Sequence, residues 1–255
     1  MKGAAAMPRP EGDAELLLRI RKRLAEDFQI LASLHDREPD TGLFTRLKAM
    51  NFPSSLTLRM EDGPRRDTLI LARSALESLP QPLDEAWLDE LAADYAAIYL
   101  NHEIGASPEE SVWLDEDNLI CQEAMFQVRQ WYRSHGLGVA NWRLRPDDHL
   151  VYQLQFIAFL LARDEAGSLE KAATFMDEHL LRWIGNFGER VLHRAATPWF
   201  SAAAALTAAY VEETRDLLAE ILGRPRPSPE EIEERMKPAR PEEERPVAFV
   251  PGPPV

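Results

Sequence analysis

The sequence predicts an all-α protein, on three observations. Apolar residues recur at three- and four-residue steps over most of the chain, strand-type alternation is almost absent, and the periodic stretches are bounded by helix start and stop residues. Apolar residues make up 45% of 255, enough to bury a substantial core in one or two domains.

The elements follow in order. Asp13 opens a helix with Leu17, Ile20, Leu24, Phe28 and Leu31 on one face, ending near His35–Pro39, where Pro39 forbids continuation. A short helix covers Gly42–Met50, and residues 54–66 show neither period, with Asp62-Gly63-Pro64 as a turn. Asp67 opens a helix to about Leu79, closed by Pro80 and Pro82. Asp84 opens another to about Asn101, with Trp87, Leu91, Tyr95 and Ile98 on one side. After the loop His102–Ser111, a helix is expected from about Asp115 to His135, with Gly136 as a left-handed stop. Leu137–Pro146 has no period and reads as a connector. Asp147–Arg163 carries Leu150, Leu154, Ile157 and Leu161. Ser168 caps a helix with Leu169, Ala173, Met176, Leu180 and Trp183. Thr197-Pro198, a cap followed by proline in the first turn, starts an alanine-rich helix that runs to Gly223. No repeat of 20–50 residues is visible, which argues against a solenoid. From Arg224 onward nine prolines and many charges leave little to bury, so 224–255 is expected to be disordered, with one helical turn in Pro229–Lys237. Residues 1–12 are expected to be disordered too, leaving 13–223 as the folded domain.

Charge narrows the partners. The formal net charge is −14, carried by the middle of the chain. Such a body repels nucleic-acid phosphate and attracts cationic peptides. No apolar stretch reaches the ~20 residues of a membrane span, and Met1–Gly12 lacks a secretory apolar core. Cys121 is the single cysteine and cannot form an intramolecular disulfide, which fits a reducing, cytoplasmic compartment. It falls inside a predicted helix and reads as a small buried apolar residue.

Signatures of catalysis are sparse. Glycine-rich phosphate loops, a G-x-S-x-G elbow and a zinc-type cysteine pair are all absent, and no cofactor is expected. The twin arginine Arg65-Arg66 lies deep in the chain without an apolar segment behind it and is not an export signal. One enzymatic alternative is an α-helical metal-dependent hydrolase built on Asp148, His149 and His179. Against it, Asp147 and Asp148 suit the first turn of any helix, and His179 shares a face with Phe175 and Trp183.

Several stretches occur in order: Asp94-Tyr95 with Ile98-Tyr99, Ser111-Val112-Trp113-Leu114-Asp115, Arg129-Gln130-Trp131, Pro146-Asp147-Asp148-His149, His179-Leu180 with Trp183, and Thr197–Phe200. Together they resemble the TorD/DmsD family, with its NarJ-type relatives. The resemblance spans roughly Leu83–Leu222. Arg145 stands where the family usually has Glu, and Asn101 where it often has Gly. The resemblance implies a single helical domain of about ten helices in two subdomains, with a hinge at about 137–149. It also implies a cytoplasmic chaperone that binds the twin-arginine leader of a molybdoenzyme catalytic subunit and assists cofactor insertion before export. The peptide-binding residues it implies are Tyr95, Tyr99, Trp113, Asp115, Pro146, Asp147, Asp148, His149 and His179. Tyr99 and Trp113 are expected as exposed aromatics, and Asp148 as either a helix cap or the partner of a leader arginine.

Overall fold

The computed structural model describes residues 11–61, 63–80 and 82–237, and among these the chain is helical without strands. The order is α1 (Glu11–His35), α2 (Thr41–Ala49), α3 (Gly63–Glu77) and α4 (Glu85–Tyr95), the last running on through a π-helical turn Ala96–Leu100. There follow α5 (Glu110–Leu114), α6 (Glu123–Ser134), α7 (Leu150–Ala162) and α8 (Ser168–Glu178). A 3-10 turn Leu180–Arg182 leads into α9 (Ile184–Arg194), α10 (Pro198–Leu222) and α11 (Pro229–Met236).

The centre is α7. Nine of its thirteen residues are buried, and only the stripe of Tyr152, Gln155, Phe159 and Ala162 is partly or fully exposed, so it is largely an interior element. Helix α1 lies along it, while α3 and α9 pack on α10. Apolar residues from both sides of 137–149 join one core cluster, from Leu24 to Leu218. Polar ties lock the layers together. The Asp177 carboxylate accepts two hydrogen bonds from Arg215, at 2.9 and 2.7 Å, fixing α8 to α10. His35 sits between the Tyr99 hydroxyl (2.6 Å) and Thr207 Oγ1 (2.8 Å), and burial drives its pKa down to about 3. Such a ring stays neutral and acts as a polar spacer in the core. The Tyr210 hydroxyl donates to Asp27, whose carboxylate also accepts the Thr57 N–H at 2.9 Å, tying the segment before α3 to α1.

Most expected helices form, with revised ends. Asp40 and Asp84 cap α2 and α4 by accepting the Leu43 and Trp87 N–H groups. Gly136 adopts φ 72° after α6, where a Cβ would be strained. Asp13 and Asp67 lie inside helices that begin earlier, and Gly167 rather than Ser168 precedes α8. The helix expected over 115–135 is broken: α5 ends at Leu114, and α6 starts only at Glu123. Cys121 therefore lies in a loop with φ 60°, not in a helix. The helix expected through Trp183 stops at His179, whose ψ of −85° turns the chain into a separate α9. Within the stretch from Arg224, the helical turn expected at Pro229–Lys237 forms as α11, Pro229–Met236. Its Ser228 and Glu231 make a reciprocal cap, and Arg182 donates to Glu233 at 2.9 Å. The expectations for residues 1–10 and 238–255 lie outside the described residues.

Close packing of α9 on α10 depends on Gly188. A Cβ there would come within 2.8 Å of the Ala208 Cβ and 3.2 Å of the Ala204 carbonyl oxygen. Gly188→Ala should thus lose about 1–3 kcal/mol from overpacking, despite alanine's better helix propensity. Gly185, on the same helix, faces open space. Gly185→Ala should gain up to about 1 kcal/mol in the same denaturant titration. Opposite signs for the two variants are the expected result.

Candidate functional site

Two short extended segments meet in the molecule's second half and form a buried clasp. Residues 107–109 lead into α5, and 146–149 lead into α7. Their backbones pair through an antiparallel bridge between Glu109 and His149. The Leu150 N–H donates to the Pro108 carbonyl at 2.8 Å, and the Glu110 N–H to the Asp148 carbonyl at 3.3 Å. The N-termini of α5 and α7 thus meet, each presenting N–H groups without helical partners.

Asp148 joins them. One of its carboxylate oxygens accepts the Ser111 N–H (2.8 Å) and Ser111 Oγ (2.6 Å), so a remote aspartate anchors the first turn of α5. It does not cap its own helix, as its position before α7 had suggested. That cap is His149, whose Nδ1 accepts the Val151 N–H at 3.2 Å. Gln153 donates from α7 to Glu110 at 2.7 Å and to the Asp148 carbonyl at 3.0 Å. Glu110 also meets His179 Nδ1 at 3.0 Å, at the end of α8. From α6, Arg129 donates to the Asp147 carboxylate at 2.9 Å, and the Tyr132 hydroxyl to the Asp147 carbonyl at 3.0 Å. Four helices converge on one polar knot.

Its electrostatics reflect burial. Desolvation raises Asp148 to about 6 against the pull of its Ser111 hydrogen bonds. Desolvation likewise raises Glu109 to about 7, opposed by the bond that the Ser107 hydroxyl donates to it. Burial holds His149 well below the usual histidine range, helped by nearby Arg145. Asp148 Oδ1, Gln153 Oε1 and His179 Nε2 are buried without a hydrogen-bond partner among the described residues.

The clasp brings together Trp113, Asp115, Pro146, Asp147, Asp148, His149 and His179. Pro146 through His149 and His179 are all buried. Trp113 is half-buried: its indole N–H donates to the Ser107 carbonyl at 2.8 Å, and Arg190 covers its ring at 4.5 Å. Asp115 holds the loop after α5 by accepting the Asp117 and Leu119 N–H groups, each at 3.1 Å. Tyr95 and Tyr99 belong elsewhere. They stack on each other at 4.8 Å in the aromatic core beside Phe200, so Tyr99 is buried rather than exposed. Arg145 points away to the residue that follows α1, donating to the Asp36 carboxylate (2.6 Å) and carbonyl (2.5 Å).

Sequence reading missed Glu109, Glu110, Ser107 and Gln153. The legible signal was Gln153, a polar residue in an otherwise apolar stretch, where a buried partner is required. Asp148, His149 and His179 each turn to a different protein partner, and no cluster of three or more His, Cys, Asp or Glu among the described residues could hold a metal. The thiol of Cys121 is pushed up by burial and by the nearby Asp148 and Glu109 carboxylates, the reverse of an activated nucleophile. The geometry does not support the hydrolase alternative.

Above the knot lies a different surface. The loop between α5 and α6 exposes Leu119 and Ile120, and α6 exposes Phe126. The segment 137–145 exposes Leu144 to 83%. The Arg129 guanidinium, fixed by Asp147, lies 5.3 Å from the Phe126 ring centroid and 4.8 Å from that of Trp142, joining the two segments. Exposed Glu116, Asp117 and Glu123 accompany the apolar residues.

The sign of the Glu109 shift gives a test. A carboxyl raised from 4.5 to about 7 contributes stability below pH 4.5 that is lost as pH rises through 7. At 1.36 kcal/mol per unit, the loss is at most about 3 kcal/mol. Glu109→Gln should therefore be more stable than the unaltered chain at pH 8 by up to that amount, with the gap closing at pH 5. Urea titrations at both values check it; an equal difference at both would refute the buried, neutralising carboxyl.

Residues 71–189 match the family model described as "Nitrate reductase delta subunit". The chain is 32% identical to the chaperone protein TorD of Vibrio cholerae (strain O395) over 215 residues, 80% of this chain and 95% of that protein. It is 27% identical to TorD of Vibrio vulnificus, over 77% of this chain and 95% of the relative. It is 26% identical to the chaperone protein YcdY of Escherichia coli K12, over 75% and 94%. The matched span holds the clasp and the helices around it, and the relatives are chaperones rather than enzymes. The chain belongs to the TorD-like chaperone family.

Proposed function

We propose that this chain is a cytoplasmic chaperone that binds the twin-arginine leader of a molybdenum-containing oxidoreductase subunit and assists its cofactor insertion before export. Family membership supports the chaperone role. The observation that carries the ligand is the acidic and apolar surface over the clasp. A leader of this kind presents two adjacent guanidinium groups followed by an apolar, helix-prone stretch. Glu116, Asp117 and Glu123 offer carboxylates to the first part, and Leu119, Ile120, Phe126 and Leu144 offer apolar area to the second.

Trp113 and Asp115 border this surface and shape its loop. Pro146, Asp147, Asp148, His149 and His179 act beneath it as positioning residues, since they are buried and engaged with protein partners. Tyr95 and Tyr99 serve the fold. Arg145 does not oppose a cationic ligand, because its charge is engaged at Asp36.

Calorimetric titration with a synthetic twin-arginine leader tests the reading. Phe126→Glu and Ile120→Glu should each weaken binding at least about tenfold, or 1.4 kcal/mol, with little change in melting temperature because both residues are about half exposed. Raising salt to about 0.5 M should slow association more than it speeds dissociation, given the net charge of −14. Unchanged affinity in both variants would remove the leader from this surface.

A further inference from the structure

We propose that the cavity between α3 and the segment 53–61 binds the phosphate group of a small, soluble organic phosphate, with Arg59 and Arg73 as its clamp. It shares no residue with the surface assigned above to the leader.

Both walls of the cavity are held in place by bonds to the body of the protein. Helix α3 lines it with Arg66, Leu69, Ile70 and Arg73, at the three- and four-residue steps of one helix face. The preceding Arg65 is spent on α10 instead, donating to Glu213 and Asp216 at 2.7 Å each. The opposite wall is the non-helical stretch from Pro53 to Glu61. There the Thr57 N–H donates to Asp27 at 2.9 Å, and the Leu58 N–H to the Tyr210 hydroxyl at 3.3 Å. The space between the walls is about 640 Å³, the size of a small-molecule site.

Its charge is unusual for this chain. Arg59, Arg66 and Arg73 line the cavity against one carboxylate, Glu61. Arg59 donates to the Ser54 carbonyl at 3.1 Å and Arg73 to the Ser54 hydroxyl at 2.5 Å, so one serine holds two guanidinium groups. Cations held that close repel each other. Although the chain carries a net charge of −14, none of the three arginines has an ion-pair partner among the described residues. Arg65, next in sequence to Arg66, has three carboxylates around it. A doubly charged anion between Arg59 and Arg73 would cancel the repulsion, and the guanidinium fork matches phosphate oxygens. A phosphate monoester carries about −1.5 to −2 charges at neutral pH, which suits two arginines better than a carboxylate does.

The remaining lining selects what the phosphate is attached to. Leu58 and Leu69 are half-buried and Ile70 is 55% exposed, leaving apolar area for an organic group to cover. The net charge of −14 repels a nucleic-acid backbone or an anionic membrane at long range, which leaves a small ester as the ligand.

Calorimetric titration of the full-length chain with phenyl phosphate and with inorganic phosphate tests this. Phenyl phosphate should bind one per chain and at least about tenfold tighter than inorganic phosphate, because only it covers the apolar wall. Arg59→Gln and Arg73→Gln should each weaken it about tenfold, with Arg73→Lys in between because it keeps the charge without the fork. All three side chains are exposed, so melting temperatures should hardly move. Arg143→Gln, at an exposed arginine beside Trp142, should bind like the unaltered chain. No saturable binding of phenyl phosphate overturns the proposal. So does equal weakening in Arg143→Gln, which would make the effect one of net charge. Equal affinity for both probes would mean an adventitious ion only and overturns it too. Binding to vesicles of anionic phospholipid that needs Arg59 and Arg73, without binding of phenyl phosphate, overturns it in favour of a membrane surface.

Discussion

The Asp148 carboxylate, bound to the backbone N–H and hydroxyl of Ser111, is the interaction on which the second half of the molecule depends. It sits where two helices begin, so the free N–H groups and the dipole of α5 favour a negative charge there. Its burial works in the other direction and raises its pKa to about 6. A buried carboxylate is tolerable only while its donors stay in place, because an uncompensated buried charge costs several kcal/mol. The arrangement is thus stable closed and costly opened. It fixes how residues 107–111 and 146–149 enter their helices, and hence where the exposed segments 115–122 and 137–145 stand.

That division of labour explains why so many chemically suggestive residues lie underground. Asp147, Asp148, His149 and His179 look like a binding or metal set in the sequence, but each is committed to a neighbour inside the protein. The groups left for a ligand are plainer: apolar side chains on a loop and one turn of α6, with carboxylates around them. The Arg129 guanidinium links the layers, held from below by Asp147 and stacked above between Phe126 and Trp142. A change in the knot would reach the surface through that side chain.

Much of the fold was legible in the sequence. Pro39, Asp84, Gly136 and Gly223 mark helix boundaries through local backbone chemistry, and the structure places ends close to each. The breaks at 115–122 and at His179 were not legible, because apolar spacing continues across them. Side-chain bonds make them: Asp115 accepting locally from its own loop, and His179 turning to reach distant Glu110. In the tail, the helical turn expected at Pro229–Lys237 is α11, held by a local cap and by Arg182 and Gln127 of the body. At the site, the motif Pro146–His149 was readable as important but not as buried. Its partners Glu109, Glu110 and Gln153 come from other segments, and no local pattern announces such pairing.

The Asp148–Ser111 bond sets the position of the exposed segments beside it. A double-mutant cycle of Asp148→Asn and Ser111→Ala, measured for both unfolding free energy and leader affinity, tests this most directly. The expected result is a coupling of about 1–3 kcal/mol in stability, the scale of charge-assisted hydrogen bonds, and a coupling of the same sign in affinity. Additive effects, or coupling in stability with none in affinity, would contradict it.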